Sequence, residues 1–225
     1  MEWRGHGSSS TPEAGYTMED VALLDVDAAL HALSGIVPPG QLRVATHSGG
    51  GLAVTMALAR RPERQALIAR MALFCCQAND AAHTMIRRLG LSLALRLTQW
   101  HGHIPGRPLR LGACDESHHM MQQWFHWNIT GRFLGADGFD YGQAQHVMQM
   151  PVMALAGSKD RWIAPPGACM QFWQRFANAA QSGQFVCCGI DHGHQQEHNH
   201  VSPMHSAAAR AEILPSVVKW LAQPA

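Results

Sequence analysis

The sequence has few of the features that would place it at a membrane or on a polyanion. No apolar run is long enough to span a bilayer, and the first five residues carry no signal-peptide pattern. Charged residues make up only 15% of the 225 residues, the net charge is +1, and no basic stripe stands out along the whole chain. Nucleic acid and an anionic membrane are therefore poor choices of partner. These absences predict a cytoplasmic protein without a membrane span.

Cysteine is present, but not in the pattern of a disulfide framework. The six residues are Cys75, Cys76, Cys114, Cys169, Cys187 and Cys188. Both adjacent pairs lie in apolar, strand-like runs, where neighbouring side chains face opposite sides. We interpret all six as buried, reduced thiols.

One stretch, Leu42 to Leu52, combines a strand, a turn and a helix. Leu42 to Ala45 predicts a short strand, and a small-residue turn leads into a helical run that ends before Pro62. Ser48 lies in the turn, followed by Gly49, Gly50 and Gly51, whose small size suits the close backbone approach of a nucleophile elbow. Thr46 occupies a position where glycine is usual. The alternative is a glycine-rich helix start that binds nothing, or a phosphate.

The rest of the chain alternates between strand and helix patterns. A capped helix is predicted from Thr17 to Gly35. The remaining predicted elements are strands at 67–76, 151–156 and 185–188, and helices at 85–97, 117–125, 169–177 and 207–221, the last bent or restarted at Pro215. Alternation of this kind predicts an α/β fold with a mostly parallel sheet flanked by helices.

Residues 79–149 differ from this pattern, because helical stretches occur there without a clear strand. We therefore divide the chain into a first part of the core (1–78), an inserted helical cap (79–149) and a second part of the core (150–225).

A serine nucleophile needs a base, and the base needs a carboxylate. Asp160 follows the strand at 151–156 directly, at the sheet edge where α/β proteins gather functional groups. A solvated turn aspartate is its alternative interpretation. Four histidines of one loop compete for the role of base: His192, His194, His198 and His200. His200 is favoured because it precedes apolar Val201 and the final helix, and surface positions can account for the others. Together with Asp191 and Glu197, the loop is also open to interpretation as a metal site.

At these segments the chain resembles the α/β-hydrolase superfamily, in particular bacterial esterase- or lipase-like members. The resemblance covers nearly the whole length: Arg4 to Ser8 is similar to the loop after the fourth strand, Thr46 to Gly50 to the elbow, Pro151 to Asp160 to the acid loop, and His200-Val201 with Glu212 to Leu214 to the histidine and final helix. The order serine, acid, histidine also matches.

The resemblance implies roles for individual residues. Ser48, Asp160 and His200 are the expected catalytic residues, the backbone N–H of Gly49 the expected oxyanion donor, and Thr46, His47 and Gly50 the neighbours in the elbow. The superfamily has an oxyanion loop after its third strand, ahead of the segment at which this sequence starts. We therefore expect an N-terminally truncated core that lacks the first strands and that donor.

The sequence thus predicts a serine hydrolase that cleaves small-molecule carboxylic esters through an acyl-enzyme and needs no cofactor and no metal. The residues that favour an apolar substrate group, or simple packing of the cap, are Trp100, Met120, Met121, Trp124 and Trp127. The alternatives are a truncated, non-catalytic binding domain or a metal-binding protein built on the histidine loop. Oligomeric state is left open.

Overall fold

A parallel β-sheet forms the centre of the molecule. A computed structural model describes residues 1–104, 106 and 115–224 of the chain. The strands are β1 (Leu42–His47), β2 (Ile68–Phe74), β3 (His103–Ile104), β4 (Glu116–Ser117), β5 (Val152–Gly157) and β6 (Gln184–Cys188). Four of them form one sheet in the order β1-β2-β5-β6, with every neighbouring pair parallel, whereas β3 and β4 form a small antiparallel pair. The predicted α/β fold with a parallel sheet is confirmed.

Helices make up most of the remaining structure. They are α1 (Met18–Asp20), α2 (Asp27–Ser34), α3 (Gly49–Arg60), α4 (Met85–His101), α5 (His118–Thr130), α6 (Tyr141–Ala144), α7 (Pro166–Gln174), α8 (Ala179–Ser182), α9 (Ser202–His205) and α10 (Ala207–Leu221). A π-helical stretch, Val21–Val26, joins the first two, and Thr17 forms a capping box with Asp20 as the sequence predicts. No helix in the described part of the chain is both long and apolar enough to cross a membrane.

The two central strands are buried on both faces, because their side chains alternate between two cores. In β2, Met71 and Leu73 join the larger core beneath α3, whereas Ala72 and Phe74 join the core beneath α10. β5 behaves in the same way, with Ala154 on the first side and Leu155 on the second. This two-sided burial explains why both strands read as continuous apolar runs.

The described residues between Met85 and Met148 form the roof above the sheet edge, and Glu19 attaches this roof to the core. Its carboxylate accepts hydrogen bonds from the Tyr141 hydroxyl (2.7 Å), the Gln123 side chain (3.0 Å) and the Ala136 N–H (2.8 Å). Arg60 of α3 binds Asp137 at 2.6 Å. Polar contacts therefore connect the roof to α1 and α3.

Three details of the sequence-based prediction are wrong. The segment 79–148 does contain strands, the short pair β3 and β4, which carry too few residues for a periodicity to be visible. α10 continues through Pro215 without a restart, because Pro215 and Ala211, the residue whose carbonyl loses its partner, are both exposed to water. β2 ends at Phe74, so Cys75 and Cys76 follow the strand instead of alternating within it.

Five cysteines lie within the described residues, and all five are free thiols. Four are buried and Cys187 is partly exposed, whereas Cys114 lies outside the described residues. The division of the chain at residues 78 and 149 stays a prediction.

Candidate active site

Ser48 lies at the junction of β1 and α3 in a backbone conformation that is rare for a residue with a side chain. Its φ is 51° and its ψ is −123°, and it is the N-cap residue of α3. The Ser48 N–H donates to the Phe74 carbonyl at 2.8 Å, which ties the turn to the neighbouring strand. A non-glycine residue held at positive φ requires support from its surroundings, and such strain is concentrated at functional sites. The sharp strand-to-helix turn expected at Ser48 is present.

The glycines after Ser48 differ in what they contribute. A Cβ at Gly51 would overlap the Cys76 sulfur, and a Cβ at Gly49 would lie 3.0 Å from the terminal methyl of Met18. A Cβ at Gly50 would approach only to 3.6 Å from Cβ of Thr46, an ordinary contact. The close approach inferred for all three glycines is therefore tightest at Gly51, and Thr46 is accommodated without a clash.

The structure brings together three side chains that are far apart in the sequence. His200 Nε2 is 2.9 Å from Ser48 Oγ, and His200 Nδ1 is 2.6 Å from Asp160 Oδ2. Asp160 and His200 are both buried, whereas the serine hydroxyl faces a cavity. A continuous hydrogen-bonded chain thus runs from a buried carboxylate through an imidazole to a hydroxyl.

The protonation states of this chain follow from the carboxylate. Burial raises the pKa of Asp160, but the hydrogen bond and charge of His200 and the N–H groups of Ala164 and Ile163 outweigh burial and hold the pKa below its ordinary value. An ionised carboxylate only accepts hydrogen bonds, so Nδ1 of His200 carries the proton that is donated to Asp160. In the neutral ring Nε2 is then a free acceptor for the Ser48 hydroxyl. This is the tautomer that a general base requires.

Backbone contacts hold the histidine loop against the end of β5. The Lys159 N–H donates to the His198 carbonyl at 2.8 Å. A Cβ at Gly157 would overlap the carbonyl oxygens of His198 and Asn199, so glycine is needed where the loop crosses the strand. The Asn199 side chain accepts hydrogen bonds from the N–H groups of Val201 and Ser202 and closes the turn around His200. The positions of Asp160 and His200 are therefore set together.

His47, the residue before the serine, also contacts this loop. Its Nε2–H donates to the His200 carbonyl at 2.8 Å, and the two rings lie 4.9 Å apart. Burial, followed by the positive charge of His200 when that ring is protonated, lowers the pKa of His47 to about 4. His47 is therefore a neutral hydrogen-bond donor to the backbone of His200 at physiological pH.

The other histidines of the loop have different surroundings. His192 is exposed and His194 partly exposed, but His198 is buried, which corrects its interpretation as a surface residue. Within the described residues, one group of three possible metal ligands has its donor atoms within 4.8 Å of one another, namely His47, Cys75 and His200. The side chains proposed from the sequence as a metal site in the loop do not converge in this way.

Cys75 lies beside the site, a position that the sequence analysis did not recognise. It has a φ of 51°, and its N–H donates to the Leu155 carbonyl at 2.7 Å. Burial, with the Asp160 carboxylate as the second cause, raises the pKa of its thiol well above the ordinary value, so the thiol stays protonated. Its place directly after the buried strand β2, at the sheet edge that also carries Ser48 and Asp160, is the signal that could have identified it.

A cavity of about 420 Å³ opens at Ser48 and Gly49. Its roof is mainly apolar and comes from α4 and α5, through Leu91, Ala94, Met120, Met121, Trp124 and Phe125. Three of the five residues proposed for an apolar substrate group therefore line it. The other two do not: Trp127 is buried and donates to the Leu134 carbonyl, and Trp100 faces outward.

One wall of the cavity is polar. His6 and Glu116 line it, and His6 Nε2 lies 3.5 Å from a Glu116 carboxylate oxygen. The hydrogen bond with Glu116 raises the pKa of His6. The segment at Arg4 to Ser8, expected to be a loop, thus contributes to the cavity as well as to the surface.

Comparison with known proteins identifies the family to which the chain belongs. Residues 1–213 match the model of the alpha/beta hydrolase family. The chain belongs to this family, and its small-molecule hydrolase character follows from that membership. No curated protein sequence matches the chain.

Solved structures share the fold at low sequence identity. A monoacylglycerol lipase from Paleococcus ferrophilus aligns with a TM-score of 0.61 and 16% identity, over 97% of this chain and 80% of that one. An esterase from Thermogutta terrifontis aligns with a TM-score of 0.59 and 17% identity, over 97% and 77% of the two chains. A Mycobacterium tuberculosis protein described as a non-heme bromoperoxidase gives 0.63 and 13%, over 98% and 79%. These likenesses concern the fold.

Proposed function

We propose that the protein is a serine hydrolase that cleaves carboxylic esters through an acyl-enzyme. The observation that carries this proposal is the chain of hydrogen bonds from Asp160 through His200 to Ser48, with Ser48 at positive φ beside a cavity. In this proposal Thr46, His47 and Gly50 complete the elbow around the nucleophile.

The residues of the site have different tasks in the reaction. The Ser48 oxygen attacks the ester carbonyl carbon while His200 Nε2 takes the hydroxyl proton, and the Asp160 carboxylate stabilises the imidazolium that results. The N–H of Gly49, the first residue of α3, donates to the oxyanion, because the first N–H groups of a helix have no partner within it. The intermediate collapses and His200 passes the proton to the leaving alcohol. Water, activated by the same imidazole, then releases the acid and regenerates Ser48.

The cavity favours an ester with an apolar acyl or alcohol group. Its roof is mainly leucine, methionine and aromatic side chains, which are removed from water when such a group binds. The esterase and lipase described for two structural neighbours agree with this substrate class.

A fluorophosphonate probe tests the proposal directly, since it reacts with an activated serine. We expect one label on Ser48, hydrolysis of p-nitrophenyl butyrate, and the loss of both in Ser48→Ala. Ser216→Ala, which removes an exposed hydroxyl on α10, is the matched control and should react as the unmodified protein does. A folded protein that neither labels nor hydrolyses esters would instead support a non-catalytic binding domain.

A further inference from the structure

The outer face of α4 is apolar and exposed to solvent. Five of its large apolar side chains are between 54% and 92% exposed, namely Ile86, Leu89, Leu93, Leu97 and Trp100. Steps of three and four residues place all five on one side of the helix. Most exposed apolar residues of a soluble protein are scattered singly, whereas these form a continuous stripe along the helix. We refer to these five residues as the α4 stripe.

The opposite side of the same helix faces the interior. Leu91 and Ala94 line the cavity that opens at Ser48. One helix therefore separates the proposed substrate cavity from the α4 stripe. Near the first turn of α4, Arg87 lies over the ring of Trp162, which is exposed and also lines the cavity. The apolar surface outside thus lies close to the apolar cavity inside.

The sequence from residue 81 to residue 114 is rich in positive charge. Residues 81–114 contain five of the 17 basic residues, Arg87, Arg88, Arg96, Arg107 and Arg110, and none of the 16 acidic ones. Of the arginines within α4, Arg88 and Arg96 are exposed, but Arg88 donates to the Ala82 carbonyl, whereas Arg96 lies beside the stripe, next to Leu97. The net charge of +1 for the whole chain conceals this segregation, because the rest of the chain is net negative.

We propose that the α4 stripe docks on an anionic lipid surface. Leucine and isoleucine side chains insert below the headgroups, Trp100 occupies the interfacial layer, and Arg96, which flanks the stripe beside Leu97, approaches the lipid phosphates. The helix lies in the plane of the interface, so docking needs no membrane-spanning segment. It does not depend on the proposed hydrolysis, although it places the roof of the cavity at a source of apolar esters.

The distribution of charge distinguishes between a lipid surface and a second copy of the chain as the partner of the α4 stripe. Pairing two α4 helices through their stripes would place Arg96 of each copy at the interface without an acidic residue in either helix to pair with it. An anionic lipid surface supplies the opposite charge and accepts the apolar stripe at the same time. The charge pattern therefore favours lipid.

Cosedimentation with vesicles tests the proposal in the Ser48→Ala background, where no reaction product forms. We expect binding to equimolar phosphatidylcholine and phosphatidylglycerol vesicles, weaker binding to phosphatidylcholine alone, and a decrease with salt. Leu93→Gln with Leu97→Gln should weaken binding about 10-fold or more, since two apolar side chains that insert into the lipid are lost. Leu24→Gln with Val218→Gln removes two leucine- and valine-sized groups that are exposed elsewhere and should leave binding unchanged.

Two results would overturn the proposal. One is a folded monomer that binds neither vesicle, or that loses binding equally in both double variants. The other is a dimer in sedimentation velocity that the Leu93→Gln and Leu97→Gln changes dissociate, without vesicle binding, because a second copy would then be the occupant. Circular dichroism confirms folding of each variant, since every replaced side chain is exposed in the monomer.

Discussion

At the scale of single residues, hydrogen-bond partners decide the protonation states of the buried polar side chains of the site. Asp160 and His200 are almost inaccessible to water, so each must be paired within the protein. Asp160 meets this need with His200 and the Ile163 N–H, which accounts for its ionised state in a buried position. The Ser48 hydroxyl remains at the cavity, where a substrate can reach it.

We predict that Asp160→Asn lowers kcat for p-nitrophenyl butyrate by about 10⁴-fold and changes KM little. The amide leaves the geometry nearly intact but favours the wrong tautomer of His200 and does not stabilise the imidazolium. Steady-state kinetics and the rate of fluorophosphonate labelling should fall together. Asp191→Asn, an exposed carboxylate near the histidine loop, is the control. Equal effects of both substitutions would contradict the role given to Asp160.

The lowered pKa of His47 predicts that the free energy of unfolding decreases as the pH falls. The folded protein holds its pKa at about 4, below the ordinary value of 6.5, so between these two values the unfolded chain binds a proton that the folded chain does not. The contribution of His47 to stability is complete above pH 6.5 and is lost as the pH falls towards 4.

We therefore expect the free energy of unfolding to fall more steeply with acidity in the unmodified protein than in His47→Asn. The difference should reach about 2 kcal/mol at pH 4, after allowance for the partial exposure of the ring. Urea unfolding at several pH values measures it. Parallel profiles for the two proteins would show that the neutral state of His47 contributes nothing.

At the scale of elements, three strands end in the same way. The residue after each strand donates its N–H to a carbonyl at or near the end of the neighbouring strand: Ser48 to Phe74, Cys75 to Leu155, and Ser158 to Cys188. The first residue of each loop is therefore fixed by the neighbouring strand. This repeated hydrogen bond gives the loops at the carboxyl end of the sheet a common, rigid starting point.

The beginning of α3 gives a prediction at this scale. Gly51→Ala should destabilise the protein by about 2 kcal/mol, because its Cβ would overlap the Cys76 sulfur in a packed core. Gly50→Ala has room and should be neutral or stabilising by up to about 1 kcal/mol, since alanine favours a helix over glycine. Adding Cys76→Ala to Gly51→Ala should restore part of the loss. Chemical denaturation measures all three, and equal effects at residues 50 and 51 would contradict the packing argument.

At the scale of the whole molecule, the cavity exists only because two parts of the chain meet. Ser48 and Gly49 come from the sheet edge, whereas Ala94 and Trp124 come from helices of the roof. The polar contacts of Glu19 and Arg60 hold the roof in place. The size of the cavity is therefore set by the distance between roof and sheet.

We predict that Ala94→Phe shortens the acyl chain that the protein accepts. The larger side chain fills part of the cavity, so kcat/KM for an octanoate ester should fall about 10-fold or more relative to an acetate ester. Gln99→Phe places the same group at an exposed position of α4 and serves as the control. An unchanged octanoate-to-acetate ratio would show that the substrate lies elsewhere.

The sequence by itself determined the strands and helices that repeat a local pattern. Continuous apolar runs identified β2 and β5, the glycine turn after β1 identified the elbow, and the order of Ser48, Asp160 and His200 agreed with the family. These signals are local, because propensity and periodicity act over a few turns of chain. The short strands β3 and β4 carry no such signal, and they were missed.

Only the tertiary structure decided which side chains share a site. Cys75 lines the cavity and His198 is buried. Trp100 is exposed, whereas Trp127 is buried. Each outcome depends on contacts between residues far apart in the chain, such as the 2.9 Å approach of His200 to Ser48. The physical reason is that burial and proximity are properties of packing, which places distant segments together and which no local pattern encodes.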